Sequence, residues 1–327
     1  MRAPSLAFSS LFLFLFVAST LAACGSSSSG TPATDGGAAS SGGTSGGIGD
    51  GGTGTGEDGG DPTVVGGDRP VTVHVPASYV AGVAAPLVIL LHGYGASGSL
   101  QDLYFGMTAV SDARGFLFAA PDGTVDKDGK HFWNATDACC DLYGTNVDDS
   151  TYVSSLIKQI QARYTVDPKR VFLVGHSNGA FMSYRMACDH ADQIAAIASL
   201  AGATFQDVAK CTPGAPVGVL QIHGTADDTV LFDGGSIGTH AYPSAKTTVA
   251  DWVTNDGCGT TADTSAPPLD LDTQLAGAET TVTKYASACK PGGHAELWTI
   301  AGGAHLPSLS KSFSSSVIDF LFAHPKP

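Results

Sequence analysis

The chain has 327 residues and a formal net charge of −14; 43% of its residues are hydrophobic and only 14% charged. No basic cluster stands against that acidic balance, so nucleic acid is not an expected partner. Cys139-Cys140 is not a CxxC pair and the histidines are scattered, so neither a metal nor a cofactor is expected.

Residues 1–23 open with Arg2, run through the apolar stretch LAFSSLFLFLFVAST and end in small residues, giving LAAC at Leu21–Cys24. A basic start, a short apolar core and a small-residue cut site make a secretory signal. The cysteine directly after LAA resembles the bacterial lipoprotein signal, which makes Cys24 the expected lipidation site; an ordinary cleaved signal and an uncleaved anchor are the alternatives. Residues 24–67 are almost wholly Gly, Ser, Thr, Ala and Asp. That composition has too little apolar surface to fold, so a disordered tether is expected, with a span on the order of 35 Å. Its GGTGTGEDGGD segment is a single degenerate glycine-aspartate stretch with no copies to stack on. Residues 68–327 suit one α/β domain in length. The protein is therefore expected to be exported, to touch the membrane only through its lipid anchor, and to be a monomer.

Within the domain, PVTVHVP (Pro70–Pro76) predicts a strand and PLVILLHG (Pro86–Gly93) a second. The second lacks polar alternation, which implies burial on both faces. Phe116–Gly123 predicts another strand. The spacing over Val147–Tyr164 predicts a helix, with Asp148 and Asp149 at its start as caps. A strand at Arg170–Gly175 and a helix at Asn178–His190 follow, then strands at Ile194–Gly202 and Val217–Gly224 and a helix at Tyr242–Gly257. Strands at Thr281–Ser287 and Ala295–Ile300 precede a closing helix at Ser312–Pro325. Such alternation implies an α/β fold with a mostly parallel central sheet and helices on both faces.

With Cys24 set aside, the domain keeps Cys139, Cys140, Cys188, Cys211, Cys258 and Cys289. An even number in an exported domain points to disulfides. Local pairing favours Cys188–Cys211 and Cys258–Cys289, leaving Cys139 and Cys140 to pair with each other or stay free. A bridge closing some twenty residues stabilises by roughly 3 kcal/mol.

GHSNG (Gly175–Gly179) fits G-x-S-x-G between a predicted strand and a predicted helix. In that context the serine sits on a strained turn with its hydroxyl raised above the sheet, at a helix start that favours an anion. Ser177 is the candidate nucleophile; the plainer reading is a glycine-flanked turn with an incidental serine. A nucleophilic serine needs a base and an orienting carboxylate, in the chain order Ser, acid, His. HGTADDTV supplies Asp227, preferred over its neighbour Asp228, and GGAH supplies His305. LLHGYGASG follows a buried strand, so the backbone N–H groups of Tyr94 and Asn178 are the expected oxyanion hole. His92 precedes the nucleophile, against the expected order, and reads as structural. Trp133 reads equally as a substrate-binding wall and as a packing residue.

The combination LLHGYGASG, APDG, FWNATDACCD, VDD, RVFLVGHSNGA, HGTADDTV and GGAH is similar to the α/β-hydrolase esterases grouped with polyhydroxybutyrate depolymerases and feruloyl or acetylxylan esterases. The resemblance runs from Pro70 to Phe322. It implies the α/β-hydrolase fold, Ser177 as nucleophile, Asp227 as acid and His305 as base, and places Phe132–Asp141 near the site. The chain departs from the family's GGxHxWPG pattern by carrying His305-Leu306-Pro307, which bears on the pocket wall rather than on the base. The function implied is a serine esterase working through an acyl-enzyme on a polymeric ester substrate. Feruloyl or acetyl esters of plant polysaccharide lead, with polyhydroxyalkanoate polyester as the alternative. A lipase lacks a visible apolar lid in this sequence. A catalytically inactive surface-binding lipoprotein is the alternative from another class.

Overall fold

The computed structural model describes Asp61 and residues 63–327; the expected signal peptide, nearly all of the tether, and Cys24 lie outside the described residues. Seven strands form the central sheet: β1 (Ala85–Leu91), β2 (Leu117–Ala119), β3 (Val166–His176), β4 (Ala196–Leu200), β5 (Gly218–Gly224), β6 (Thr280–Tyr285) and β7 (His294–Ile300). Their order is β6-β7-β5-β4-β3-β1-β2. All neighbours run parallel except β6, which pairs antiparallel with β7.

The unbroken apolar run of β1 has a direct explanation. Leu87, Ile89 and Leu91 enter one core, while Val88 and Leu90 enter the other. β3 divides the same way, Val171 and Leu173 against Phe172 and Val174. Successive side chains of a strand point to opposite faces, so a strand covered on both sides must be apolar at every position. The first core is closed by α3 (Asp149–Arg163) and α4 (Asn178–Asp189), with Trp252 of α5 (Ala245–Asn255). The second is closed by α6 (Phe313–Ala323), with Phe105 and Met107 from α1 (Gly98–Phe105) and α2 (Met107–Arg114).

Several expectations change in detail. The predicted strand over Pro70–Pro76 is ordered as a strand only at Val71–Thr72, which pairs with Val64–Val65; His74 then makes an isolated bridge to Phe118. The folded region therefore begins before residue 68, because Val65 is apolar and buries itself in the first core. Helices α1 and α2 were not predicted: Gly106 breaks their pattern, capping α1 in the left-handed region at φ 63°. Of the two aspartates expected to cap α3, Asp148 does so, accepting from Thr151 N. Asp149 instead turns inward and takes Arg69 at 2.6 Å and Asn134 N at 2.7 Å.

The disulfides are Cys188–Cys211, Cys258–Cys289 and Cys139–Cys140. No helix among the described residues is long and apolar enough to cross a membrane.

Candidate active site

The carboxyl ends of β3, β5 and β7 converge at Ser177, Asp227 and His305. Ser177 lies between β3 and α4 with φ 53°, a region that costs a non-glycine residue of order 1–3 kcal/mol. The turn is over-determined by its surroundings. A Cβ on Gly175 would lie 2.1 Å from Gly179 O, and one on Gly179 would lie 2.1 Å from Leu91 O. Ser177 N donates to Leu200 O at 2.9 Å, tying the turn to the end of β4. Only glycine fits at either side, which is the physical content of G-x-S-x-G here.

His305 Nε2 is 3.0 Å from Ser177 Oγ, and its Nδ1 is 2.8 Å from Asp227 Oδ2. The carboxylate accepts, so Nδ1 carries the proton and Nε2 accepts from the serine hydroxyl. Asp227 Oδ1 accepts from Thr229 N and Val230 N, both at 2.9 Å. Asp228 is exposed and meets Thr229 Oγ1 instead, so the structure separates the two aspartates. Burial alone would raise the Asp227 carboxyl, but donors from His223 and His305 outweigh it and hold the group far below the usual carboxylate range.

The His305 loop is zipped to the Asp227 loop by Thr225 N on Ile300 O and Ala226 N on Gly303 O. His176, directly before the serine, aims its Nε2 at His305 O, 3.0 Å away, and sits 5.1 Å ring to ring from His305. Burial pushes His176 down to about 3, so it is a neutral anchor for the loop.

On the other side of Ser177, neither Tyr94 N–H nor Asn178 N–H makes a backbone or side-chain hydrogen bond among the described residues. A Cβ on Gly93, the residue before Tyr94, would lie 3.4 Å from Ser177 Cβ, and Asn178 directly follows the serine. His92 behaves as a structural residue: its Nε2 accepts from Gly123 N at 2.8 Å and its Nδ1 meets Gly93 O at 2.8 Å. Burial pushes it down to about 4.

Of the two readings open for Trp133, burial favours packing over the substrate-binding wall. The tryptophan is fully buried, with Nε1 donating to His92 O at 3.1 Å and its ring stacked on Tyr152, so it supports the site from behind and does not wall a pocket. Asn178 explains this position. Its side chain takes Trp133 N at 2.7 Å, gives to Trp133 O at 2.8 Å and reaches Cys139 Sγ at 3.5 Å. The Phe132–Asp141 segment is thus pinned beneath the residue that follows the nucleophile. Among the described residues, no group of three or more His, Cys, Asp and Glu side chains is placed to hold a metal ion.

Residues 80–251 match the phospholipase/carboxylesterase family. The chain is 30% identical over 245 residues to feruloyl esterase B of Piromyces equi, covering 72% of this chain and 42% of that protein. It is 30% identical over 167 residues to the bifunctional acetylxylan esterase/xylanase XynS20E of Neocallimastix patriciarum, covering 51% of this chain and 22% of that one. The chain thus spans less than half the length of these two curated relatives. Among solved structures, the acetyl xylan esterase from Aspergillus awamori superposes with a TM-score of 0.55 at 16% identity, over 80% of this chain and 95% of that one, a likeness of fold. With more than half of its length matched and the sheet, nucleophile turn and helices arranged as described, the chain belongs to the phospholipase/carboxylesterase family and has the α/β-hydrolase fold.

Proposed function

We propose that this protein is an exported serine esterase that hydrolyses carboxylic esters through an acyl-enzyme, acting on feruloyl or acetyl esters of plant polysaccharide. The observation that carries the reading is the line from Ser177 Oγ to His305 at 3.0 Å and from His305 to Asp227 at 2.8 Å. Ser177 Oγ attacks the ester carbonyl while His305 Nε2 takes its proton. Asp227 holds the imidazole in the required tautomer and stabilises the imidazolium. Tyr94 and Asn178 N–H groups receive the oxyanion. His305 returns the proton to the departing alcohol, and water then releases the acid by the same steps. The polysaccharide part of the reading draws on the activities named for the two relatives. Three disulfides support an oxidising compartment, and the LAAC segment ending at Cys24 supports a lipid anchor there.

Replacing Ser177 by alanine is expected to lower kcat by roughly 10⁴–10⁶; retention of more than a tenth of wild-type turnover sinks the mechanism. For the substrate, kcat/KM on methyl ferulate is compared with that on a soluble hydroxybutyrate trimer. A serine-dependent preference for the ferulate is expected, and preference for the trimer moves the protein to polyester turnover.

A further inference from the structure

One buried titratable residue close to the triad has no part in the proton transfers above. His223 is the penultimate residue of β5 and is 1% exposed, with its ring edge-on to Phe232 at 5.7 Å. Its two nitrogens meet different partners. Nδ1 lies 3.0 Å from Gln221 Nε2. Nε2 lies 2.7 Å from Val230 O and 3.3 Å from Asp227 Oδ2.

The proton on this ring is placed by a chain of partners. Gln221 is fully buried and its Nε2 faces Gly202 O at 2.8 Å, while its Oε1 takes the Tyr184 hydroxyl at 2.7 Å. A backbone carbonyl only accepts, so the amide edge that faces Gly202 must be the NH₂. That same NH₂ is the group facing His223 Nδ1, which must then accept. The neutral imidazole therefore carries its proton on Nε2. This proton has Val230 O as its short partner and Asp227 Oδ2 as a second, longer one. Val230 is also the residue whose own N–H binds Asp227 Oδ1. One imidazole thus grips the turn that aims the carboxylate and shares the oxygen that faces His305.

We infer that His223 is a positioning residue of the triad, its Nε2–H fixing the Asp227 turn and drawing charge from Oδ2, in an orientation set by Gln221 and Tyr184. The inference rests on the triad reading above. Other titratable groups near Asp227 and His305 are His176 at the end of β3, Tyr242 from the 235–242 hairpin, whose hydroxyl accepts from Leu231 N, and the adjacent Asp228, which meets Thr229 Oγ1. All three are untouched by the substitutions below.

The test uses the full chain and p-nitrophenyl acetate. His223→Leu removes the donor, and His223→Gln keeps an N–H where Nε2 stood. Gln221→Leu leaves His223 in place but removes the group that orients its proton. For His223→Leu, kcat is expected to fall about 10- to 100-fold, the usual toll of losing a group that orients a reacting or ligating side chain, with KM within about twofold. Loss of the His223 donor leaves more of the Asp227 charge facing the His305 imidazolium, so the acid limb of the kcat/KM profile, which reports the base, moves to higher pH. His223→Gln is expected to restore most of kcat and return the limb, and Gln221→Leu to shift it in the same direction by less. A second readout needs no turnover: in Ser177→Ala protein, the downfield proton resonance shared by His305 and Asp227 is expected to move when His223→Leu is added. An unchanged acid limb and an unchanged resonance, in a variant whose parent shows Ser177-dependent turnover, overturn the inference and leave the triad standing. Absence of Ser177-dependent turnover in the wild type overturns the triad reading and the inference with it. If His223→Leu does not fold, Gln221→Leu and His223→Gln carry the same comparison.

Discussion

Two buried aspartates lie at opposite ends of the sheet and behave in opposite ways. Asp227, at the carboxyl ends of the strands, accepts two backbone N–H groups and lies against two imidazoles. Asp256, at the amino ends, accepts Val217 N and His294 N at 3.2 Å each, tying the starts of β5 and β7 to the end of α5. Burial dominates at Asp256 and pushes its carboxyl up to about 7, against the pull of those two N–H groups and of Lys290. At Asp227 the imidazole donors reverse that balance. Two backbone donors do not offset the loss of water around a carboxylate, and side-chain donors decide the outcome. The carboxyl end of the sheet holds a charged carboxylate against His305, whereas the amino end uses a carboxyl to clamp two strand starts.

The sharpest way to break that contrast is at the charged end. Asp227→Asn keeps the shape but replaces an acceptor of the His305 Nδ1 proton with an amide that can present N–H₂. By the logic of the wrong tautomer, kcat is expected to drop by about 10⁴. Steady-state kinetics on p-nitrophenyl acetate checks this; a loss under tenfold means that Asp228 or solvent takes over the role. Next comes the turn that lifts the serine. Gly175→Ala places a methyl 2.1 Å from a backbone oxygen, with no flexible side chain to yield. Melting is expected to fall by at least about 5 °C, with activity lost in the fraction that stays folded. A variant with wild-type melting and turnover removes the steric account of the turn.

These two sites also differ in how far the sequence exposed them. Part of the glycine requirement is local: Gly175 is held to glycine by Gly179 O four residues on, so the pattern is readable as written, while Gly179 itself meets Leu91 O of β1. Likewise Leu87 and Val88 announce burial on both faces through the absence of polar alternation alone. Chain order and strand ends single out Asp227 and His305, whose side chains meet at 2.8 Å. The rest depends on contacts between distant segments. Gln221 is oriented by Tyr184, and nothing near His223 in the sequence tells which of its nitrogens faces Asp227. Trp133 was ambiguous because a tryptophan on a loop serves a pocket and a core equally well, and its burial follows from Asn178 reaching across from α4. Asp148 and Asp149 are adjacent and chemically identical; distant partners, Arg69, Asn134 N and Thr124 Oγ1, meet the one that turns inward. Helices α1 and α2 are hard to read because Gly106 divides a pattern that buries Phe105 and Met107 in the second core and packs only Tyr104 and Val110 partly against it.

The smallest expected effect lies at the amino end, and its sign separates the two aspartates most cleanly. A carboxyl whose folded value is raised from 3.8 to about 7 favours the folded state when protonated. Its contribution is therefore fully present below about pH 4, declines as pH rises towards 7, and stays lost above that. Asp256→Asn never ionises and keeps one oxygen, which replaces only one of the two carboxyl oxygens that accept from Val217 N and His294 N. The lost acceptor costs the variant equally at every pH, so its melting temperature relative to wild type is expected to be higher at pH 8 than at pH 4 by at least about 3 °C. Its kcat should be unchanged, because no triad residue touches Asp256. Thermal melts of both proteins between pH 4 and 8 measure the difference directly, and other titrating groups cancel in the comparison. A relative melting temperature that does not rise between pH 4 and 8 means that the carboxyl is not raised and stays ionised beside its two N–H partners. Two backbone donors would then be sufficient to keep a buried aspartate charged, and the imidazoles around Asp227 would no longer account for its behaviour.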